Sequence, residues 1–342
     1  KLLANTVITL AFRRELCNLS LDIGKEGFNE QLSLDDLNDF ANNGIDKLAE
    51  RFIFGGDSVQ FGEKIDDIWK EMCSDRNEDG TVGVPNLIPS LDNSYTFGNG
   101  ELVLVAGHTG KGKSSYFLNQ GVFALKKGFP VVIIDTELTD KVYLPRLLAC
   151  LSGVTVRKIR SGRYTNEEGN RIRQSMEYIK KCPGFVHAYY PVFNKVQIEQ
   201  TCRKWANKNK LGFMIYDYIK PSEKYGAAEI SQSLGLMTDF LKSIAGNLEI
   251  PVLAGLQLNK LTGLVSDSQK PERYGDVLMY WKEKDVDQIN SDGTECGNYC
   301  MQVIKNRNGS IHDPDDYVDI NFIGDIMNIK EAKRHDGSTT PF

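Results

Sequence analysis

Along residues 34–52 the apolar positions Leu34, Leu37, Ala41, Ile45, Leu48 and Phe52 recur at three- and four-residue steps, which predicts a helix with one apolar stripe on an acidic body. Ser33, three residues before Asp36, supplies a capping-box-like start. Little sequence surrounds this stripe to cover it, so it packs either within its own domain or on another subunit. A second amphipathic stretch, Phe61, Ile65, Ile68, Trp69 and Met72, ends in the polar run 74–80 and reads as a connector leading to a domain boundary. From about residue 83 the texture changes. Short β-rich apolar runs at 102–106, 131–135, 185–190, 213–217, 251–256, 277–281, 299–304 and 318–322 alternate with helical patterns. Helical segments separate the first five runs, as parallel β-α units require, while the last three lie close together and predict an antiparallel extension. The fold class expected is therefore α/β, with a mostly parallel central sheet, a C-terminal antiparallel extension and a preceding helical region.

Composition narrows the class of protein. The chain has 342 residues, 41% of them apolar, enough for a large core and about two domains. No apolar run approaches the ~20 residues of a membrane span, and the apolar stretch 6–12 is followed by Arg13-Arg14-Glu15, the reverse of a signal peptide's charge order. Seven dispersed cysteines fit a reducing, cytoplasmic setting. Cys296 and Cys300 have no second ligand pair nearby, so zinc is not expected. The net charge of −5 argues against a protein that coats nucleic acid, but residues 1–95 carry 18 Asp and Glu against 9 Lys and Arg, and the remainder is mildly basic. The acidity belongs to the N-terminal part.

Gly107-His108-Thr109-Gly110-Lys111-Gly112-Lys113-Ser114 fits G-x-x-x-x-G-K-[ST] and lies between a predicted strand and a predicted helix beginning near Ser115. Here successive backbone N–H groups converge on phosphate oxygens, Lys113 reaches the β- and γ-phosphates, and the Ser114 hydroxyl is suited to Mg²⁺. ATP and Mg²⁺ are the implied ligands, with Gly107, Thr109, Gly110, Lys111, Gly112, Lys113, Ser114 and Ser115 as the binding segment. Asp217, closing the apolar run Phe213-Met214-Ile215-Tyr216, has the Walker B pattern and would hold the metal with Ser114. Glu137 follows the second strand and is placed to polarise water; Asp135 competes for that role, though its position inside the strand suits a buried structural acid. Gln257 and Asn259 follow the strand at 251–256, from which an amide can sense the γ-phosphate. Lys305-Asn306-Arg307-Asn308-Gly309 reads as a basic hairpin tip, either a solvated turn or a functional one.

The order of these motifs resembles the replicative DNA helicases of the DnaB type, which have a RecA-like motor. The most specific stretches are Arg146-Leu147-Leu148-Ala149, Ser152-Gly153-Val154 and Lys158-Ile159-Arg160-Ser161-Gly162-Arg163-Tyr164-Thr165; Gly83-Val84-Pro85, Glu229-Ile230-Ser231-Gln232-Ser233-Leu234, Gln257-Leu258-Asn259-Lys260 and the Lys305 to Gly309 stretch are also similar. The resemblance implies a RecA-like P-loop NTPase in which Glu137 is the catalytic glutamate, Asp217 the Walker B aspartate, Gln257 the γ-phosphate sensor and Arg146 an arginine near the phosphates. It implies that Lys305 and Arg307 reach into a neighbouring subunit's ATP site, in a hexameric ring that moves 5′ to 3′ on single-stranded DNA, with primase and a loader as partners. DNA contacts would come from Lys220 and Lys224 in one loop and from Lys260, Lys270 and Arg273 in another. The family's Arg-Glu-Ser-Gly turn is replaced by Ser266-Asp267-Ser268-Gln269-Lys270, so the second loop departs from the pattern. The domains implied are a remnant of a helical N-terminal domain at 1–30, a linker helix and connector at 31–82, the motor at 83–330 and a polar tail at 331–342. The competing reading is a RecA-like recombinase or circadian-clock type of ATP-binding protein that acts without unwinding.

Overall fold

The computed structural model describes residues 2–52, 61–74, 76–77, 82–209, 211–220, 227–258, 273–313 and 315–336. The chain divides into two compact units, Lys1–Ser74 and Asp75–Phe342.

The first unit is helical: α1 (Leu2–Glu26), α2 (Leu34–Phe52) and α3 (Phe61–Ser74). Ser33 begins α2 as its spacing predicts, the hydroxyl accepting from the Asp36 N–H at 3.1 Å and donating to the Asp36 carboxylate at 2.6 Å. α2 packs on α1 where Gly44 leaves no side chain, since a Cβ there would collide with Leu19. The apolar stripe of α2 is thus only partly used. Leu48 is buried, whereas Leu34 and Ile45 are exposed, as are Phe61, Ile65, Trp69 and Met72 along α3.

The second unit is one nine-stranded sheet of order β3-β2-β4-β5-β1-β6-β7-β8-β9, built from β1 (Leu102–Gly107), β2 (Val131–Asp135), β3 (Phe185–Tyr189), β4 (Phe213–Asp217), β5 (Val252–Gln257), β6 (Val277–Glu283), β7 (Tyr299–Asn306), β8 (Val318–Ile323) and β9 (Asn328–Glu331). Alternate residues of the central strands enter two cores. Val103, Val105, Ile133 and Ile215 face α5 (Lys113–Lys126) and α6 (Asp140–Ser152), while Leu104, Val132, Ile134 and Met214 face α9 (Lys195–Asn209) and α10 (Ala227–Leu248). Burial on both faces is why these strands read as unbroken apolar runs. The remaining helices are short or capped outside the sheet: α4 (Pro89–Asp92), α7 (Val156–Ser161), α8 (Asn166–Lys180) and α11 (Val286–Asp292). α8 starts with a complete Thr165–Glu168 capping box.

The last three predicted runs form the expected antiparallel extension, β6 pairing with β7 and β7 with β8, and β6 joins it to the rest of the sheet by lying parallel to β1. A ninth strand, β9, was not visible, since Ile329 is its single apolar residue. The polar tail does not begin at 331, because Glu331 ends β9 and accepts from the Ser90 N–H at 3.0 Å, and Ala332 and His335 bond to Asp319.

That last contact belongs to a buried ionic cluster. Lys284, with no exposed side-chain surface, pairs with Asp292 at 2.7 Å and with Asp319, whose other oxygen meets the His335 ring at 2.7 Å. These ties join the end of β6, α11, β8 and the C-terminal segment. Removing one member of such a set strands the others without a counter-charge, so Lys284→Met is expected to cost about 3–5 kcal/mol. Denaturant unfolding of the variant checks this, and an unchanged midpoint would show the cluster to be dispensable.

Candidate active site

The site is built at the carboxyl edge of the parallel strands. β1 ends at Gly107, and the chain turns through Gly110 and Gly112, whose φ values of +75° and +88° favour glycine, into the first turn of α5. At Gly112 a Cβ would also press on the Phe322 ring at 2.7 Å. The predicted helix start near Ser115 is therefore two residues late. Lys113 and Ser114 lie in the first turn, where the helix N-terminus favours anions. Trp281, at the end of the neighbouring β6, fixes the crest of the loop by donating its indole N–H to the Lys111 carbonyl at 2.5 Å.

A cleft of about 380 Å³ opens here, lined by the loop residues His108, Thr109, Gly110 and Gly112 to Ser115, and by Glu137, Arg146, Asp217 and Gln257. Each catalytic candidate arrives from a different element: Glu137 from the turn after β2, Arg146 from α6, Asp217 from the end of β4 and Gln257 from the end of β5, in register with Gly107. The sequence also missed contributors. Tyr218 follows Asp217 and its ring lies 5.6 Å from the Lys113 ammonium, and Phe322 and Met327 close the far side of the cleft from the C-terminal strands. No motif marks these last two, because only the sheet topology returns them to the loop.

Lys113 is almost fully buried and donates to the Gly107 carbonyl at 2.7 Å. Burial lowers its pKa, opposed by the nearby Asp217 and Glu137 carboxylates. Asp217 is buried too, and burial, with Asp135 alongside, raises its pKa to about 7 despite the Ser114 hydroxyl and Lys113. Its Oδ1 is a buried oxygen without a hydrogen-bond partner. An orphaned carboxylate oxygen beside a serine hydroxyl fits a hydrated divalent cation, a hard ion that takes oxygen ligands. Asp135 has the structural role: its Oδ1 accepts from the Glu137 and Leu138 N–H groups at 2.7 and 2.6 Å.

Other candidates fall elsewhere. The Lys111 side chain turns away from the cleft to pair with Glu283. Ser115 borders the cleft but its hydroxyl meets the Met327 sulfur at 3.3 Å. Lys220 is not an open loop cation: it is half-buried, its ammonium on the Thr136 carbonyl at 2.9 Å. Arg273 is exposed; Lys224, Lys260, Lys270 and Asn259 lie outside the described residues. Lys305 and Arg307 do not line the cleft. Lys305 bonds the Gly275 carbonyl at 2.7 Å, and Arg307 bonds Asp276 at 3.2 Å and the Arg273 carbonyl at 2.8 Å. Asp276 also accepts from the Leu102 N–H, so both cations sit where β1 begins, at the opposite edge of the sheet from the loop where it ends. Six residues of strand separate the two edges, roughly 20 Å. Among the described residues no helix is long and apolar enough to cross a membrane.

Sheet order, loop and cleft define a RecA-like P-loop domain that binds nucleotide. The chain belongs to the DnaB-like helicase C terminal domain family, whose model matches residues 83–331. It is 23% identical over 308 residues to the replicative DNA helicase DnaB of Rickettsia typhi, covering 80% of this chain and 60% of that protein. It is 25% identical over 215 residues to the enzyme of the same name from Helicobacter pylori, covering 58% and 43%. The chain thus spans about 60% of the Rickettsia relative's length. Among solved structures it resembles a DnaB-like replicative helicase described with its interactions with primase, at TM-score 0.66 and 18% identity over 95% of this chain and 78% of that one. A second solved structure, described as an ATPase domain, matches at TM-score 0.67 and 19% identity, over 80% of this chain and 99% of that one.

The raised pKa of Asp217 makes a prediction about stability. A carboxylic acid whose folded pKa lies above its unfolded value penalises the fold at pH values above both, and the penalty disappears as pH falls below the unfolded value. Asp217→Asn is therefore expected to raise the melting temperature of the nucleotide-free protein at pH 8, with the gain shrinking as pH falls through about 7. A pH series of thermal melts checks it.

Proposed function

We propose that this chain is the ATP-hydrolysing motor of a ring-forming replicative DNA helicase, translocating 5′ to 3′ on single-stranded DNA, with each active site completed by a neighbouring subunit. The observation that carries this reading is the separation of Lys305 and Arg307 from the chain's own cleft by the length of β1. A guanidinium stabilises charge on a transferring phosphoryl group only at close range, so Arg307 acts on a second copy's nucleotide or on none. A RecA-like recombinase or clock-type protein shares the core, but the family match and the Lys305–Arg307 pair favour the helicase.

In this mechanism the loop amides and Lys113 hold the β- and γ-phosphates of ATP, and Ser114 and Asp217 hold hydrated Mg²⁺. The ion, when bound, supplies charge neutralisation for the phosphoryl oxygens. Glu137 orients and polarises the attacking water, Gln257 reads the γ-phosphate from the end of β5, and Arg146 borders the phosphates from α6. The motor is assigned to the stretch from 83 through β9 and the segment tied to Asp319, the linker helix and connector to 31–82 and a helical segment to 1–30; the exposed apolar residues of α2 and α3 are assigned to the contact with an adjacent motor. The DNA grip is assigned to the loops after β4 and β5, with Lys224, Lys260, Lys270 and Arg273 as phosphate contacts, while the Lys220 ammonium is held on the Thr136 carbonyl. Hexameric state, primase, a loader and a cytoplasmic setting follow from the same reading.

Glu137→Gln is expected to bind ATP and not hydrolyse it, whereas Lys113→Ala loses nucleotide binding. The decisive experiment mixes Arg307→Ala with wild-type chain. Poisoned sites make ATPase activity fall more steeply than the wild-type fraction; strict proportionality would eliminate the shared site. ATPase rate per subunit should also rise with protein concentration and again with single-stranded DNA.

A further inference from the structure

Behind the turn that carries Glu137 lies a cluster that the proposed chemistry does not use. His187 of β3 is almost buried between two acids: its Nδ1 lies 2.7 Å from Asp140 Oδ1 at the start of α6, and its Nε2 lies 3.7 Å from Asp135 Oδ2 in β2. The Tyr143 ring stacks on the imidazole, with centroids 4.1 Å apart and planes at 25°. Asp135 is buried, and its Oδ2 and the facing Nε2 have no hydrogen-bond partner, so each is the polar group presented to the other. A neutral imidazole has one donor nitrogen, and with the proton on Nδ1 its Nε2 lone pair would point at a carboxylate. Two acids on two nitrogens call for the imidazolium.

The other oxygen of Asp135 holds the Glu137 and Leu138 N–H groups. His187, Asp135 and the Glu137 turn therefore form one connected set, although His187 itself does not line the cleft. We infer that His187 is a positioning residue for ATP turnover: as an imidazolium clamped between Asp140 and Asp135, it holds Asp135 in place, and Asp135 keeps Glu137 aimed at the phosphate cleft. The inference rests on the proposed role of Glu137. It is a role in placement, since the imidazole does not line the cleft.

The groups that act on the ring are Asp135 from β2 and Asp140 from α6, with the Tyr143 hydroxyphenyl ring against its face. Burial alone would lower the His187 pKa, but the two carboxylates outweigh it and hold it above the ordinary histidine value. The clamp is thus lost as pH rises through that raised value.

The test is the pH profile of ATPase kcat and KM in the full chain. Wild type should lose kcat on an alkaline limb. His187→Gln should lower kcat by roughly 10- to 100-fold at neutral pH, the scale of a small misplacement of a catalytic group, with KM for ATP unchanged and the limb gone. Asp140→Asn, at an exposed position, keeps the histidine and removes one of its two acids, so the limb should move to lower pH. A His187→Gln protein with wild-type kcat and profile overturns the inference, and so does an Asp140→Asn limb that stays where it was, a reading that remains open if His187→Gln fails to fold. Glu137→Gln is run alongside: if it still hydrolyses ATP, the role of Glu137 has failed, whereas a dead Glu137→Gln with an unmoved Asp140→Asn limb isolates the failure to His187.

Discussion

Two carboxylates, Asp217 and Glu137, act on the ammonium of Lys113 at the carboxyl edge of the sheet, and a third, Asp135, lies beside Asp217; Asp135 and Asp217 are buried. A fold that brings like charges together in a poorly hydrated place must find counter-charge or leave groups protonated. Both solutions are present. Asp217 drifts towards neutrality until a cation meets it, and Asp135 is matched by His187 on its far side. The arrangement costs the empty protein stability and leaves it shaped for something positively charged bound to something negatively charged, which a metal-nucleotide complex is. Much of the surrounding structure serves to hold this edge: β1, β2, β4 and β5 deliver the side chains, and the buried cores on either side of the sheet keep the strand ends level.

β6 is the second organising element. It is the last parallel strand, and it touches both edges. Its C-terminal end braces the phosphate loop through Trp281, and its N-terminal end begins beside Asp276, to which Arg307 is tied. The antiparallel return of β7 carries Lys305 and Arg307 to that second edge. One strand pair thus connects the place where a chain receives nucleotide with the side chains it offers elsewhere.

Much of this was legible in the sequence, and the limits have physical causes. β1, β2, β4 and β5 are visible because burial on both faces writes long apolar runs, and β3, β6, β7 and β8 because enough apolar residues remain in each, whereas β9, with Asn328, Lys330 and Glu331 around Ile329, leaves no such trace. The P-loop, Glu137, Asp217 and Gln257 are legible because each directly follows an apolar strand, and the site lies at strand ends. The junction is harder: the short spacing of the last runs predicts their antiparallel pairing, and only the register of β6 with β1 shows that β6 also lies parallel to the rest of the sheet. Contacts between distant segments carry no local signal. His187 is about fifty residues from Asp135, and Phe322 and Met327 are some two hundred from the loop they face. Lys220 reads as a loop residue because it follows the Walker B strand, and the seating of its ammonium on the Thr136 carbonyl is a tertiary fact.

The placement of Arg307 and the phosphate loop on opposite edges of one sheet also sets an arithmetic of assembly. Under the proposed reading each chain has a receiving edge and a donating edge, so contacts are head-to-tail rather than face-to-face. An open row of such copies always ends with one cleft that lacks a donor and one arginine that lacks a cleft. Closing the row into a ring removes both loose ends at once, so the last contact made adds a working site for which no further chain is needed.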